Sequence, residues 1–221
     1  MKEGILLIDK PQGITSHDVV NSVRRKLGIR RVGHAGTLDP IATGLLIVLV
    51  GKVTKSFNKF VNFDKEYFAT LTLGESTDTG DALGKMVKNE PFAHITKEKI
   101  EEASKRFVGD IEQIPPMVSA LKYKGKRLYS LAKKGISVPR ESRKIKIYSL
   151  EIKRFCPPEV DFQVICSKGT YIRKLGEDIG EALGCCGHIS KIRRIAIGHF
   201  RIEEAIKLED VNESLLRSWP A

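Results

Sequence analysis

Residues 33–40 read GHAGTLDP, with His34 five positions ahead of Asp39 and Asp39 directly before Pro40. Imidazole and carboxylate are the side chains that most often move protons or attack electrophilic carbon in neutral water. Pro40 biases Asp39 away from helical dihedrals and toward extended geometry. Gly33, Gly36 and Gly44 permit positive φ and let the backbone of another molecule come close. Asp39 is thereby presented at the mouth of the apolar run GLLIVLV (44–50). Taken alone, the stretch reads equally well as an Asp-Pro turn stabilised by its own side chain, with His34 an ordinary loop histidine.

Other common chemistries lack their residues. GDALGKM and VGKVTK miss the glycine interval or the closing hydroxyl of a P-loop, and no GxGxxG follows a strand. STDTGD (76–81) lacks the ligand spacing and final glutamate of a calcium loop. No GxSxG elbow occurs. Cys185, Cys186 and His188 match no usual zinc spacing, and Cys156 and Cys166 stand apart, so all four cysteines are expected to be reduced, structural thiols. The residues call for no cofactor and no metal.

The elements that must position Asp39 follow from periodicity. GILLIDK (4–10) reads as a strand with PQG as its turn, and Thr15 or Ser16 caps a helix carrying Val19, Val20, Val23 and Leu27, closed by Gly28. GLLIVLVG (44–51) is a buried strand and EYFATLTLG (66–74) another. Residues 76–85 form a polar loop, and 95–109 an amphipathic helix. A short helix is expected in KRLYSLAKKG, strands over 144–155 and 160–166, a helix over 170–184 capped by Thr170, and a strand over 191–202. Strands and helices mix without regular βαβ alternation. The expected fold class is therefore α+β with a mixed, mostly antiparallel central sheet flanked by helices, in one domain over 1–221.

Charge says what such a scaffold meets. The 221 residues hold 38 Lys and Arg against 27 Asp and Glu, a net of +11. Between Pro115 and Arg154, twelve basic residues face only Glu141 and Glu151, a local net of +10. Such clustering is the footprint of a polyanion, and Tyr123 and Tyr129 among the cations suit base stacking. No apolar run approaches a membrane span, and MKEGILLIDKPQG is no signal peptide, so a cytoplasmic protein is expected.

Five segments then occur in a fixed order: GILLIDKPQGITSHDVV, RRVGHAGTLDPIATGLLIVLVGKVTK, KEYFATLTLGESTDTGDALG, GDIEQIPPMVSALKYKGKRLYSLAKKGI and SKGTYIRKLGEDIGEALG. In this the chain resembles the TruB family, the tRNA pseudouridine-55 synthases, from about residue 3 to about residue 210. The resemblance implies the pseudouridine synthase fold and an isomerase that detaches the uracil of the T-arm uridine, rotates it and rejoins it through carbon. It implies that Asp39 is the catalytic aspartate. His34 would fill the space vacated by the flipped base, Tyr67 would stack on the uracil and Arg173 would pair with Asp39. Tyr171 would contact substrate or close the pocket, and Ile192 would wall the base, although as a strand residue it also reads as plain core. Lys10 and Pro11 are expected to be structural. Residues 115–143 correspond to a thumb-like RNA-binding insertion. The partner implied is the tRNA T-arm stem-loop, with no membrane, no required protein partner, no cofactor and a monomeric state. Many bacterial relatives continue into a PUA module; none is expected in this sequence.

Two other classes fit the same basic lobe: an RNA chaperone without catalysis, and a base-excising glycosidase. The Asp39, Tyr67 and Arg173 set favours the isomerase, because binding alone does not need an aspartate facing a phosphate-rich ligand.

Overall fold

A computed structural model describes residues 3–219. In chain order the first elements are β1 (Gly4–Lys10), α1 (Ser16–Leu27), β2 (Val32–Ala35), β3 (Thr43–Val50), α2 (Phe57–Val61) and β4 (Lys65–Leu73). There follow β5 (Glu75–Thr77), β6 (Met86–Asn89), α3 (Lys97–Lys105), β7 (Gly109–Gln113), β8 (Lys122–Tyr123), β9 (Lys126–Arg127) and α4 (Leu128–Ala132). The last are β10 (Arg143–Cys156), β11 (Glu159–Cys166), α5 (Ile172–Ala182), β12 (Gly187–Ile197), β13 (Phe200–Arg201) and β14 (Ile206–Lys207). The residues divide into two compact units, one up to Tyr67 and again from Ile192, the other Phe68–Lys191, with the boundaries inside β4 and β12.

In the first unit the strand order is β14-β1-β3-β12. β1 runs antiparallel to β3 over seven residue pairs, while β14 joins β1 and β12 joins β3 in parallel. β2 also pairs with β3, His34 opposite Val48. β1 and β3 are almost continuously apolar because both of their faces are buried. Ile5, Leu7, Leu45, Ile47 and Leu49 share one face with Phe60, Ile197 and Phe200. α1 starts on a capping box: the Asp18 amide donates to Thr15 Oγ1, and the Asp18 carboxylate accepts the Thr15 amide. Gly28, in the left-handed region, ends it.

In the second unit β10 and β11 form a long antiparallel hairpin, and β7 pairs with the other edge of β10. α3 lies against β10 and α5. The β7 strand was not expected; GDIEQ holds a single strong apolar residue, and only its partner β10 makes it a strand. The polar loop expected over 76–85 is bracketed by a β5–β6 hairpin. Residues 115–143 contain the β8–β9 ribbon and α4.

One expected cap is corrected. α5 begins at Ile172 with Tyr171 as its N-cap, not Thr170, whose hydroxyl donates to the Ser167 carbonyl. Gln113 does the anchoring instead. Its side-chain amide donates to Tyr171 O (3.1 Å) and its carbonyl accepts Tyr171 N–H (2.7 Å). The cysteines are free thiols. Among the described residues no helix is long and apolar enough to cross a membrane.

Candidate active site

Asp39 sits half-buried in the segment between β2 and β3. Three separate contacts fix that segment. Ser16, at the start of α1, donates its hydroxyl to Leu38 O (3.1 Å) and accepts Leu38 N–H (2.8 Å). Gly13 N–H donates to Pro40 O (2.9 Å) and Ala42 N–H to Asp39 O (3.0 Å). Gly36 and Gly44 carry the positive φ, 99° and 101°, whereas Gly33 lies within β2. A Cβ on Gly44 would stand 2.3 Å from the Arg194 carbonyl oxygen, so this position excludes a side chain on two counts. A flexible Asp-Pro turn would need none of this bracing.

Lys10, at the end of β1, is fully buried. Its ammonium donates to Pro11 O (2.9 Å) and Ile14 O (2.7 Å), holding the turn whose Gly13 reaches Pro40. Burial pushes the Lys10 pKa down to about 8; the charge of Asp39 opposes that shift, and the charge of Arg194 adds to it. Lys10 thus lies in the fields of both Asp39 and Arg194.

Arg194 is 1% exposed, on β12 two residues beyond the buried Ile192. Nε donates to Leu45 O (2.8 Å) and Nη2 to Gly36 O (3.0 Å). Its guanidinium carbon lies 6.0 Å from the centroid of the Tyr67 ring, at the outer reach of a cation–π contact. Tyr67 is 7% exposed on β4, and His34 is half-buried on β2. Of the residues singled out in the sequence, this unit therefore contains Asp39, His34, Tyr67 and Ile192.

Tyr171 and Arg173 belong to the second unit. Arg173 is buried and donates to Thr79 O (2.6 Å) and Val118 O (2.7 Å), with Nε 3.5 Å from Asp81 Oδ2. Asp81 Oδ1 in turn accepts from Thr79 Oγ1 (2.8 Å) and Leu83 N–H (3.0 Å). STDTGDALG is thus the platform that fixes a guanidinium. Tyr171, half-buried, is held at its main chain by Gln113.

Arg194 and Gln113 were not singled out in the sequence, Ser16 was read only as a candidate helix cap, and Asp81 only as a carboxylate that could approach Asp39. For Arg194 a signal exists: in KIRRIAI the inward positions of the alternation are Ile192, Arg194 and Ala196, and an arginine on the inward face of a strand is unusual. Ser16, Asp81 and Gln113 act through contacts 22, 92 and 58 residues away, which no local pattern encodes.

Chemically, the first unit offers a braced carboxylate, a buried ammonium in its field, a buried guanidinium bonded to its segment and an aromatic ring. That set suits acid–base or nucleophilic work on a planar ligand. Among the described residues no group of three or more His, Cys, Asp or Glu is placed to hold a metal ion.

Comparison with known proteins follows the same lines. The TruB family pseudouridylate synthase N-terminal domain matches residues 24–172. The tRNA pseudouridylate synthase B C-terminal domain matches residues 173–218. The tRNA pseudouridine synthase B of Opitutus terrae is 46% identical over 209 residues, 95% of this chain and 87% of that protein. The protein of the same name from Clostridium tetani is 48% identical over 216 residues, 98% and 75% of the two chains. Among solved structures, a chain of a Cbf5-Nop10-Gar1 complex superposes with a TM-score of 0.75 at 33% identity, over 95% of this chain and 53% of that one. A chain from an H/ACA RNP bound to a substrate RNA containing 2′-deoxyuridine gives 0.70 at 30% identity, over 94% and 51%. The protein spans about half the length of these two chains.

Proposed function

The chain belongs to the TruB family of pseudouridylate synthases, and we propose that it converts uridine-55 in the T-arm of tRNA to pseudouridine with Asp39 as the essential carboxylate. The observation that carries this reading is the bracing of the Asp39 segment. Ser16, Gly13 and Arg194 converge on residues 36–40 and hold the segment that carries the carboxylate, and Arg194 lies 6.0 Å from the centroid of the buried Tyr67 ring.

The reaction breaks the N1–C1′ glycosidic bond and forms C5–C1′. The C5 hydrogen leaves to solvent, N1 gains a proton, and no electron is transferred. An isomerisation of this kind needs no redox partner. The base of a folded T-loop is stacked, so it has to be extruded before chemistry. His34 is assigned to the vacated space, Tyr67 to stacking on the uracil and Ile192 to the apolar wall. Asp39 attacks the base or the sugar, or takes a proton from the sugar. Arg173 is assigned to holding the Asp39 carboxylate ionised through a charge-assisted bond, and Tyr171 to closing over the substrate.

RNA affinity is assigned to residues 115–143. Lys122, Lys124, Lys126 and Arg127 form the exposed β8–β9 ribbon with Tyr123, and Tyr129 follows at the start of α4. Phosphate contacts there position the stem-loop, and its folded shape with splayed bases provides specificity. The protein is proposed to act as a monomer without an accessory protein.

The test is a T-arm stem-loop RNA carrying tritium at uracil C5. The expected result is stoichiometric tritium release with pseudouridine at the single T-loop position. Release of free uracil with an abasic sugar would establish a glycosidase instead, and binding without either product would establish an RNA chaperone.

A further inference from the structure

We propose that Arg194 is a positioning residue for this reaction, a single guanidinium that clamps both ends of the segment carrying Asp39. The proposal rests on the isomerase reading and adds a residue to its machinery. Gly36 and Leu45 bracket the ten-residue stretch on which Asp39 sits, and Arg194 binds both of their carbonyls, through Nη2 and Nε. The main chain reinforces the side chain. Arg194 is the parallel partner of Gly44 in the β12–β3 register, and Gly44 has no side chain to keep the strands apart. Gly36 is equally bare, and a Cβ there would stand 3.6 Å from Arg194 Nη1. The guanidinium carbon lies over the Tyr67 ring, 6.0 Å from its centroid. One planar group therefore binds the two ends of the aspartate's segment and stands over the ring assigned to the base.

The chemistry of the site explains why a charged group stands there. The partners that hold Arg194 are neutral: two carbonyls and a phenol ring. Replacing buried ionic groups by apolar residues of similar volume is often neutral or stabilising, so stability alone does not call for a cation at a position 1% exposed. A planar fork with several donors in fixed directions can bind two divergent carbonyls at once; an ammonium on a flexible stem cannot hold the same geometry. Its fixed charge also acts on Lys10, whose ammonium lies in the field of Asp39. Small misplacements of a reacting group cost large factors in rate, so a clamp of this kind acts on the chemical step rather than on binding.

The test compares wild type with Arg194→Met and Arg194→Lys under single-turnover conditions on the tritiated stem-loop. RNA affinity, thermal unfolding and amide hydrogen exchange are measured in parallel. Arg194→Met is expected to slow product formation about 100-fold, with the Kd for RNA within threefold of wild type. Exchange at residues 36–42 is expected to rise while that of β1 stays unchanged. Arg194→Lys is expected to recover part of the rate, because it keeps the charge but loses one of the two carbonyl contacts. A wild-type rate in Arg194→Met overturns the clamp. So does a loss in both variants that follows a fall in melting temperature and affinity together, since that is the pattern of a purely structural residue. Should Arg194→Met not fold, Arg194→Lys decides alone: full wild-type rate and exchange overturn the clamp. A wild type that forms no pseudouridine overturns the underlying isomerase reading, a result separate from either variant.

Discussion

Lys10→Met isolates the electrostatics of the site in one substitution. Methionine matches the length of the lysine and removes its charge and donors. The buried Lys10 ammonium has its pKa lowered from 10.5 to about 8. A shift of that size means the fold disfavours the charged form by about 3 kcal/mol relative to the unfolded chain. The sign follows from proton counting. Below pH 8 both states hold the proton and the full penalty is present. Between pH 8 and 10.5 the unfolded chain is still protonated where the folded chain is not, so unfolding free energy rises with pH. Integrated from pH 7 to pH 10, the contribution of Lys10 is a gain of about 2 to 3 kcal/mol in stability. Losing the bonds to Pro11 O and Ile14 O adds an offset to the variant, but that offset is independent of pH. The assay is urea unfolding of both proteins at half-unit steps across pH 7–10. The difference between wild type and Lys10→Met is expected to shift by about 2 to 3 kcal/mol in favour of wild type as pH rises. Parallel curves would refute the picture of a desolvated ammonium beside Asp39.

Gly44→Ala places a Cβ 2.3 Å from Arg194 O at a φ of 101°; a loss of about 3 kcal/mol or more in denaturant unfolding is expected, with activity falling as the Asp39 segment shifts. Thr15→Ala removes the cap of α1, for about 1 kcal/mol of stability and no change in RNA affinity. Removing Lys126 and Arg127 together is expected to weaken binding of any stem-loop and to lower the slope of log K against log salt by about 1.4 to 1.8, read from filter binding at several salt concentrations.

What could be read in the sequence was local or periodic. The cap at Thr15 or Ser16, the stop at Gly28 and the apolar strands β1 and β3 follow from spacing within a dozen residues. Asp39 stood out because a proline and flanking glycines mark its geometry directly. The part that stayed hidden depends on distant partners. β7 becomes a strand only against β10, and the N-cap residue of α5, Tyr171, is anchored at its main chain by Gln113, 58 residues upstream, while the adjacent Thr170 bonds Ser167 instead. Arg194 was passed over because arginine is ordinarily a surface residue, and its burial is explained only by Gly36, Leu45 and Tyr67 arriving around it. Lys10 was read as structural; its bonds to Pro11 and Ile14 agree with that reading, while its charge also belongs to the environment of Asp39.

The central claim is that Asp39 does chemistry and does not merely shape a turn. Asparagine at position 39 keeps the volume and hydrogen-bonding capacity of a turn residue while removing the charge. The measurement is pseudouridine formation by Asp39→Asn on a T-arm stem-loop, alongside its affinity for that RNA. Product is expected to fall to background with affinity within a few-fold of wild type; pseudouridine made at a rate comparable to wild type would contradict the account.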